Sequence, residues 1–443
     1  MAKPLNLLPD REDPLAPIKQ LNDHVVSVLN KNRQFKAAAI ATKRAIRVTP
    51  NSKELWVNLA SYFVGMREYG EAEAACHRAI TLDPNYHVAH DTLGVIYGAT
   101  RQWDLAREQY ARALECRSGP DNLSPVWNGS LEKLRRGEYE AGFTDYESRI
   151  PFKPQSYVHF PAPYYQKGQP LEGKSLFVMA EQGLGDTIMF SRWLPWLATQ
   201  GCTKIYLCVN VQMMALLWGY RDIVEFIPEG VPIPKTDYSI TMGSLPHFAG
   251  VKSIDDLPPE PGKIRWRCEK HLNDNPPSLP EPQGPLPFKI GINWTGNPLQ
   301  ERNEERSLPL PIIGRICENP HVWAYSFQIG KGAKDIQEHG FDQLICDLSP
   351  MLESGGLITC GAAMLKMDLI ITSCSMTAHL AGALGIPCWT LLCYDSYWPW
   401  SVDRSDSPWY PKTKLFRQVV PDNWVWVMND VMKELDALIE KRN

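Results

Sequence analysis

Apolar and small residues recur at a fixed spacing through the first third of the chain. Trp56, Leu59, Ala60, Phe63, Tyr69, Ala72, Cys76 and Ala79 are answered 34 positions later by His90, Leu93, Gly94, Tyr97, Trp103, Ala106, Tyr110 and Ala113. The same frame runs back to Val25, Val26, Leu29, Phe35, Ala38, Thr42, Ala45 and Pro50, and Pro84 stands 34 positions after Pro50. Small residues at such spacing let two antiparallel helices approach closely, and the aromatics fill the gap to the next pair. A degenerate fourth unit follows with Trp127, Leu131, Leu134, Gly137, Tyr139, Gly142, Phe143 and Tyr146, shifted by two residues. Behind an N-terminal extension over 1–17, the pattern predicts an α-solenoid over 18–150, three repeats plus a cap or connecting hairpin. Such a module binds a peptide or partner subunit, self-associates, or braces an enzyme, and the spacing does not choose among these.

The texture then changes. A Pro-, Tyr- and Phe-rich linker over 151–170 leads to short apolar runs, Ser175–Ala180 and Lys204–Val209, with helical patterns between and after them. A second set follows: Phe288–Trp294, Val322–Phe327, Gln343–Cys346, Asp368–Thr372 and Cys388–Leu392. Strands interleaved with helices predict parallel sheets. Between the sets, Pro258 to Pro287 holds nine prolines, a density read as excluding strand and helix and marking an interdomain connector. The expected order is thus repeats, a first α/β domain over 171–257, a connector over 258–287, a second α/β domain over 288–423 and an amphipathic helix over 424–443.

Composition narrows the class. Of 443 residues, 44% are hydrophobic and 22% charged, enough for ordinary globular cores. A net charge of -4 gives no general pull toward nucleic acid or an anionic membrane. The 11 cysteines form no C-x-x-C pair and no metal-ligand spacing with histidine, so reduced thiols in a cytoplasmic compartment are expected. Met1 to Pro17 lacks the apolar core that export requires. No apolar run approaches the roughly 20 residues that span a bilayer.

Three clusters carry candidate chemistry, each after a predicted strand, where open α/β sheets bind ligands. The first is Glu181-Gln182-Gly183-Leu184-Gly185-Asp186, with Arg192 further along the following helix. The glycines allow a tight turn close to a ligand. Asp186 is either a helix N-cap or a carboxylate placed to take a proton from a hydroxyl, and Arg192 faces the cleft or solvent. The second cluster is Asn293-Trp294-Thr295-Gly296-Asn297-Pro298, then Arg302, Arg306 and Ser307, an arrangement suited to an anion. Gln328 ends the next strand. The third is Ser373-Cys374-Ser375-Met376-Thr377, where hydroxyls and the amides of a new helix would meet a phosphate, with His379 one turn in. His379 alone reads equally as a buried core histidine. Cys374 has no evident partner base and is set aside as a nucleophile. The aromatic stretch Tyr394-Asp395-Ser396-Tyr397-Trp398-Pro399-Trp400 stacks on a sugar or base, or simply packs a core.

The repeat pattern resembles the tetratricopeptide repeat. Gly183-Leu-Gly-Asp-Thr187, Trp294-Thr-Gly-Asn-Pro298 with Arg306-Ser307, Ala378-His-Leu-Ala-Gly-Ala-Leu-Gly-Ile-Pro-Cys-Trp389 and Ser407-Pro-Trp-Tyr-Pro411 together resemble tetratricopeptide-repeat glycosyltransferases of the heptosyltransferase-like family. The resemblance implies two facing Rossmann-like domains, the GT-B fold, and sugar transfer with inversion and without a metal or other cofactor. It implies Asp186 as general base, with Glu181, Gln182, Gly183, Gly185 and Arg192 on the acceptor side. A nucleotide-sugar would lie against Gly296, Asn297, Arg302, Arg306, Gln328, Ser375, Met376, Thr377 and His379. The family's Asp-Thr pair before the histidine helix is Cys374-Ser375 here, which keeps a hydroxyl and loses a carboxylate. The acceptor stays open, as do a protein partner or self-association through the repeats. Two other readings stand beside transfer: a scaffold that binds nucleotide without turnover, and transfer to a modified nucleic-acid base.

Overall fold

The computed structural model describes residues 34–116, 123–152, 160–282, 287–300 and 302–442. The expected extension over 1–17 and the repeat positions Val25, Val26 and Leu29 lie outside them. The chain divides into two compact units, one ending at Glu132 and regaining Asp145–Pro154, the other holding Lys133–Thr144 and everything from Gln155 on.

The first unit is helical. Phe35–Val48, Lys53–Gly65, Tyr69–Leu82, His87–Ala99 and Trp103–Cys116 alternate in antiparallel pairs, and Ser124–Arg135 follows. The repeat signature has a direct physical cause. Ala38, Ala72 and Ala106 hold equivalent positions and are all fully buried, because only a small side chain fits between paired helices. Gly94 is a stricter case: a Cβ there would lie 2.4 Å from the Tyr110 ring. Ser52 caps the second helix by accepting from the Leu55 amide.

The expected module over 18–150 is divided by the structure. Lys133–Thr144 belongs with the second unit, where Tyr139 lies 6.3 Å from Trp409 and Phe143 packs edge-on to Trp398 at 5.8 Å. Repeat spacing is blind to this, since both aromatics also occupy repeat-like positions.

The second unit carries two fully parallel sheets. One is ordered β3-β2-β1-β4, from β1 (Ser175–Met179), β2 (Lys204–Val209), β3 (Glu225–Pro228) and β4 (Tyr238–Thr241). The other is ordered β10-β9-β8-β5-β6-β7, from β5 (Phe288–Asn293), β6 (Val322–Ser326), β7 (Ile345–Asp347), β8 (Leu369–Ser373), β9 (Cys388–Leu392) and β10 (Thr413–Arg417). The second order is that of a complete Rossmann sheet and the first lacks only the last two strands, so the expected α/β class and paired Rossmann-like sheets are present. β8 and β9 are buried at every position, as parallel strands covered on both faces must be.

Three features depart from the sequence reading. The proline-rich connector contains a helix, Gly262–Asp274. Its nine prolines flank that segment and none lies within it, so backbone donors are intact where the helix forms. Cys268 on this helix packs against Gly361, where a Cβ would meet its sulfur at 2.5 Å. The linker is partly structured, with Tyr164 bridged to Ser239 of β4 and Tyr165 buried. The terminal helix, Trp424–Glu440, is no separate element. Val427, Met428, Val431, Leu435 and Ile439 join Phe288, Ile290, Leu391 and Phe416 in one core, each large apolar side chain contributing about 1.5–3 kcal/mol by burial.

Candidate functional site

Strand order alone locates the chemistry. In the first sheet the chain runs outward from β1 through β2 and β3, then returns to place β4 on the other flank of β1. In the second, β5 is flanked by β6 and β8 in the same way. Crevices open beyond the carboxyl ends of strands at such reversals. They hold the Glu181–Asp186 turn in one sheet and Asn293 with Ser373–Thr377 in the other.

The first turn is tight. Gln182 adopts φ 63°, a left-handed conformation unfavourable for a side-chain-bearing residue. Gly183 then caps the helix Leu184–Phe190. Asp186 is not the N-cap that its residue type allows. It lies one turn in, and its Oδ2 accepts from the Gly183 amide at 3.0 Å. Its Oδ1 accepts from the Tyr397 hydroxyl at 2.7 Å, a group carried by the loop after β9 of the other sheet. Burial, reinforced by Glu181, lifts the Asp186 carboxyl to about 6, against the opposing pull of those two hydrogen bonds. Asp186 remains partly exposed, whereas Glu181 is buried and accepts from the Gly243 amide at 3.0 Å, stapling the turn to the end of β4. Gln182 and Gly183 are exposed.

Arg192 does not face the crevice. It is buried and donates to the carbonyls of Met189, Pro258 and Trp409 at 3.1, 3.1 and 2.8 Å. Its guanidinium lies over the Trp409 and Tyr410 rings. Arg192 therefore joins the first sheet's helix to the second sheet's final loop, a bridging role in place of the expected acceptor-side one.

In the second crevice, Asn293 at the end of β5 organises its neighbours. Its Oδ1 accepts from Ser375 Oγ at 3.0 Å, and its Nδ2 donates to Gln328 Oε1 at 2.9 Å. Gln328 is buried and also accepts from the Trp294 and Thr295 amides. Gln328 and Ser375 thus hold the loop in shape, and their polar atoms already have protein partners. Asn297 closes a local turn by accepting from the Leu299 amide.

The two arginines differ. Arg302 pairs with Asp395 at 2.8 Å and Glu305 at 2.5 Å. Burial opposes its charge, yet these carboxylates hold its pKa well above the ordinary value. Arg306 has no carboxylate partner among the described residues. It lies over Gly296, where a Cβ would meet its Nη2 at 2.5 Å, and donates to the Cys374 carbonyl at 3.0 Å. That carbonyl immediately precedes the helix Met376–Ala383, whose N-cap Ser375 offers its amides no side-chain bond. A guanidinium and a helix start therefore converge, with Met376 partly exposed and Thr377 buried.

His379 sits between the two sheets' helices. It is buried, its Nδ1 lies 3.1 Å from the Tyr410 hydroxyl, and its ring is 4.9 Å from Trp400. Burial, then the charges of Arg192 and Arg306, push its pKa down to about 3, so it stays neutral near physiological pH. Cys374 accepts from Trp400 Nε1 at 3.0 Å, and burial raises its thiol pKa, which suits packing and not nucleophilic attack.

The residues that sequence reasoning missed are Tyr397, Asp395 and Arg135. Asp395 takes Arg135 on one oxygen at 2.6 Å and Arg302 on the other. The sequence signal for Tyr397 and Asp395 was the aromatic stretch over 394–400, and Arg135 had none. A separate open groove of about 1240 Å³ lies beside β2 and β3, lined by Trp218, Lys263 and Trp266 among others. It contains none of the candidate residues.

No family model matches the chain. Protein FlbA of Caulobacter vibrioides is 23% identical over 447 aligned residues, which span 92% of this chain and 71% of FlbA. Among solved structures, a point mutant of the Thermobaculum terrenum O-GlcNAc transferase is 14% identical at a TM-score of 0.37, covering 98% of this chain and 92% of its own. E. coli ADP-heptose lps heptosyltransferase II is 15% identical at a TM-score of 0.43, covering 60% of this chain and 99% of its own.

Proposed function

We propose that the protein is an inverting glycosyltransferase that moves a sugar from a nucleotide-sugar to an acceptor hydroxyl without a metal. The observation that carries this reading is Asp186, a carboxylate raised to about 6 at one sheet's reversal point, opposite a helix start and Arg306 at the other. A base with that proton affinity is mostly ionised at neutral pH and still able to accept a proton.

In the proposed step the acceptor oxygen attacks the anomeric carbon from the side opposite the leaving group. Its proton passes to Asp186. The bond between that carbon and the diphosphate oxygen breaks, and the electron pair leaves with the nucleoside diphosphate. Arg306 and the amides at Met376 and Thr377 offset the charge growing on that oxygen. His379, being neutral, contributes shape and no charge.

No helix among the described residues is long and apolar enough to cross a membrane. We place the protein in the cytoplasm, where nucleotide-sugars are made, and leave the repeats as the surface for a protein partner or a second copy. The test is Asp186→Asn. It is expected to abolish transfer from a panel of nucleotide-sugars while a nucleoside diphosphate still binds in calorimetry. Full transfer by that variant removes Asp186 from the chemistry, and unaltered rates in excess chelator are required of the metal-free mechanism.

A further inference from the structure

The loop after β9 touches both halves of the site. Tyr397 donates to Asp186 at 2.7 Å. Two residues earlier, Asp395 holds Arg302 through its carboxylate at 2.8 Å and through its carbonyl at 2.7 Å. The loop is also fastened by Arg135 on the second Asp395 oxygen at 2.6 Å and from behind, where Arg417 donates to Ser396 and to the Trp400 carbonyl. An anion arriving at the arginines competes with Asp395 for Arg302, since both present oxygens to the same guanidinium. Whatever displaces Asp395 pulls on a segment in which Arg417 grips Ser396 and, one residue on, the Tyr397 hydroxyl holds Asp186.

We propose that Tyr397 is a positioning residue that reports anion binding at Arg302 to Asp186: with the arginine held by Asp395 it ties down the carboxylate, and a diphosphate at Arg302 releases it. The purpose assigned to this device rests on the reading of Asp186 as the base. Release would leave Oδ1 open to an acceptor hydroxyl. It would also remove a hydrogen bond that favours the ionised form, making Asp186 the stronger base once donor is bound.

Glu181, His379, Tyr410 and Arg192 are the other titratable groups around this turn. Glu181 lies in its own turn and is held by the Gly243 amide. His379, from the facing helix, is neutral. Tyr410, before β10, has its pKa raised by burial and stays protonated, and Arg192, its pKa lowered by burial, is held among its carbonyls.

The experiment follows the Asp186 carboxyl by carbon-13 NMR in full-length protein labelled at aspartate, with the signal identified by its loss in Asp186→Asn. In Tyr397→Phe the carboxyl midpoint is expected to rise by about one pH unit, the effect of losing one hydrogen bond to the charged form. Inorganic pyrophosphate is expected to raise the midpoint in the wild type and to raise it less in Tyr397→Phe. Asp395→Asn, which loosens the grip on Arg302, is expected to raise it without any anion. An unmoved midpoint in Tyr397→Phe, or equal responses to pyrophosphate in the two proteins, overturns the proposal. The titration reads this contact whether or not sugar is transferred, so loss of the glycosyltransferase reading would appear separately, as absent turnover with the coupling intact.

Discussion

A Cβ placed on Gly185 would lie 2.6 Å from His379 Cδ2. Gly185 belongs to the helix after β1 and His379 to the helix after β8, so the absence of one side chain is what lets the two helices meet. Gly185→Ala is expected to cost about 1–3 kcal/mol, as overpacking of a buried contact does. Urea denaturation measures this. Because the helix also carries Asp186, transfer should fall further than stability does.

The two titratable groups nearest this contact differ in what they can do. Asp186 stands at about 6 and His379 at about 3. The rate with subsaturating donor is therefore expected to fall tenfold per pH unit below about 6, as one carboxylate takes up a proton. No histidine limb should appear between pH 5 and 8. A pH profile of kcat/KM checks both statements.

Stability carries the same signature with a definite sign. The folded state raises the Asp186 pKa above its ordinary 3.8, so folding favours the protonated form. The contribution is fully present below the ordinary value and is lost as pH rises through about 6. Asp186→Asn never ionises. Its melting temperature should gain on that of the wild type as pH rises from 4 to 7, measured by scanning calorimetry.

Arg302 and Arg306 should separate when removed singly. Arg306→Ala is expected to weaken nucleoside diphosphate binding roughly 10- to 100-fold, the range for losing a charged hydrogen bond, with a small change in melting temperature. Arg302→Ala leaves Asp395 on Arg135 alone, so its larger effect should be on stability. Calorimetric titration beside thermal unfolding distinguishes them.

What could be read from the sequence follows from how local each cause is. Ala38, Ala72 and Ala106 announce helix pairing because the steric demand lies within one repeat. β1, β8 and β9 announce themselves as apolar runs because both faces are covered. The three unread strands, β3, β4 and β10, all lie at sheet edges, where polar residues such as Glu225, Ser239 and Lys414 interrupt the run. The turn carrying Asp186 was legible from its glycines. Tyr397 was not, since it lies 211 residues away in sequence and only the folded chain brings it close. Arg192 was misread for a related reason: its carbonyl partners at Pro258 and Trp409 belong to distant segments.

The terminal helix sets the order in which the molecule can be completed. Ile439 and Leu435 share a core with Phe288 and Ile290 of β5, and every pairing between the named strands of that sheet is parallel, so its contacts join segments distant in sequence. During synthesis, β5 leaves the ribosome long before the helix that covers it. Until about residue 439 has emerged, the growing chain presents an uncovered apolar sheet face, the kind of surface that chaperones hold.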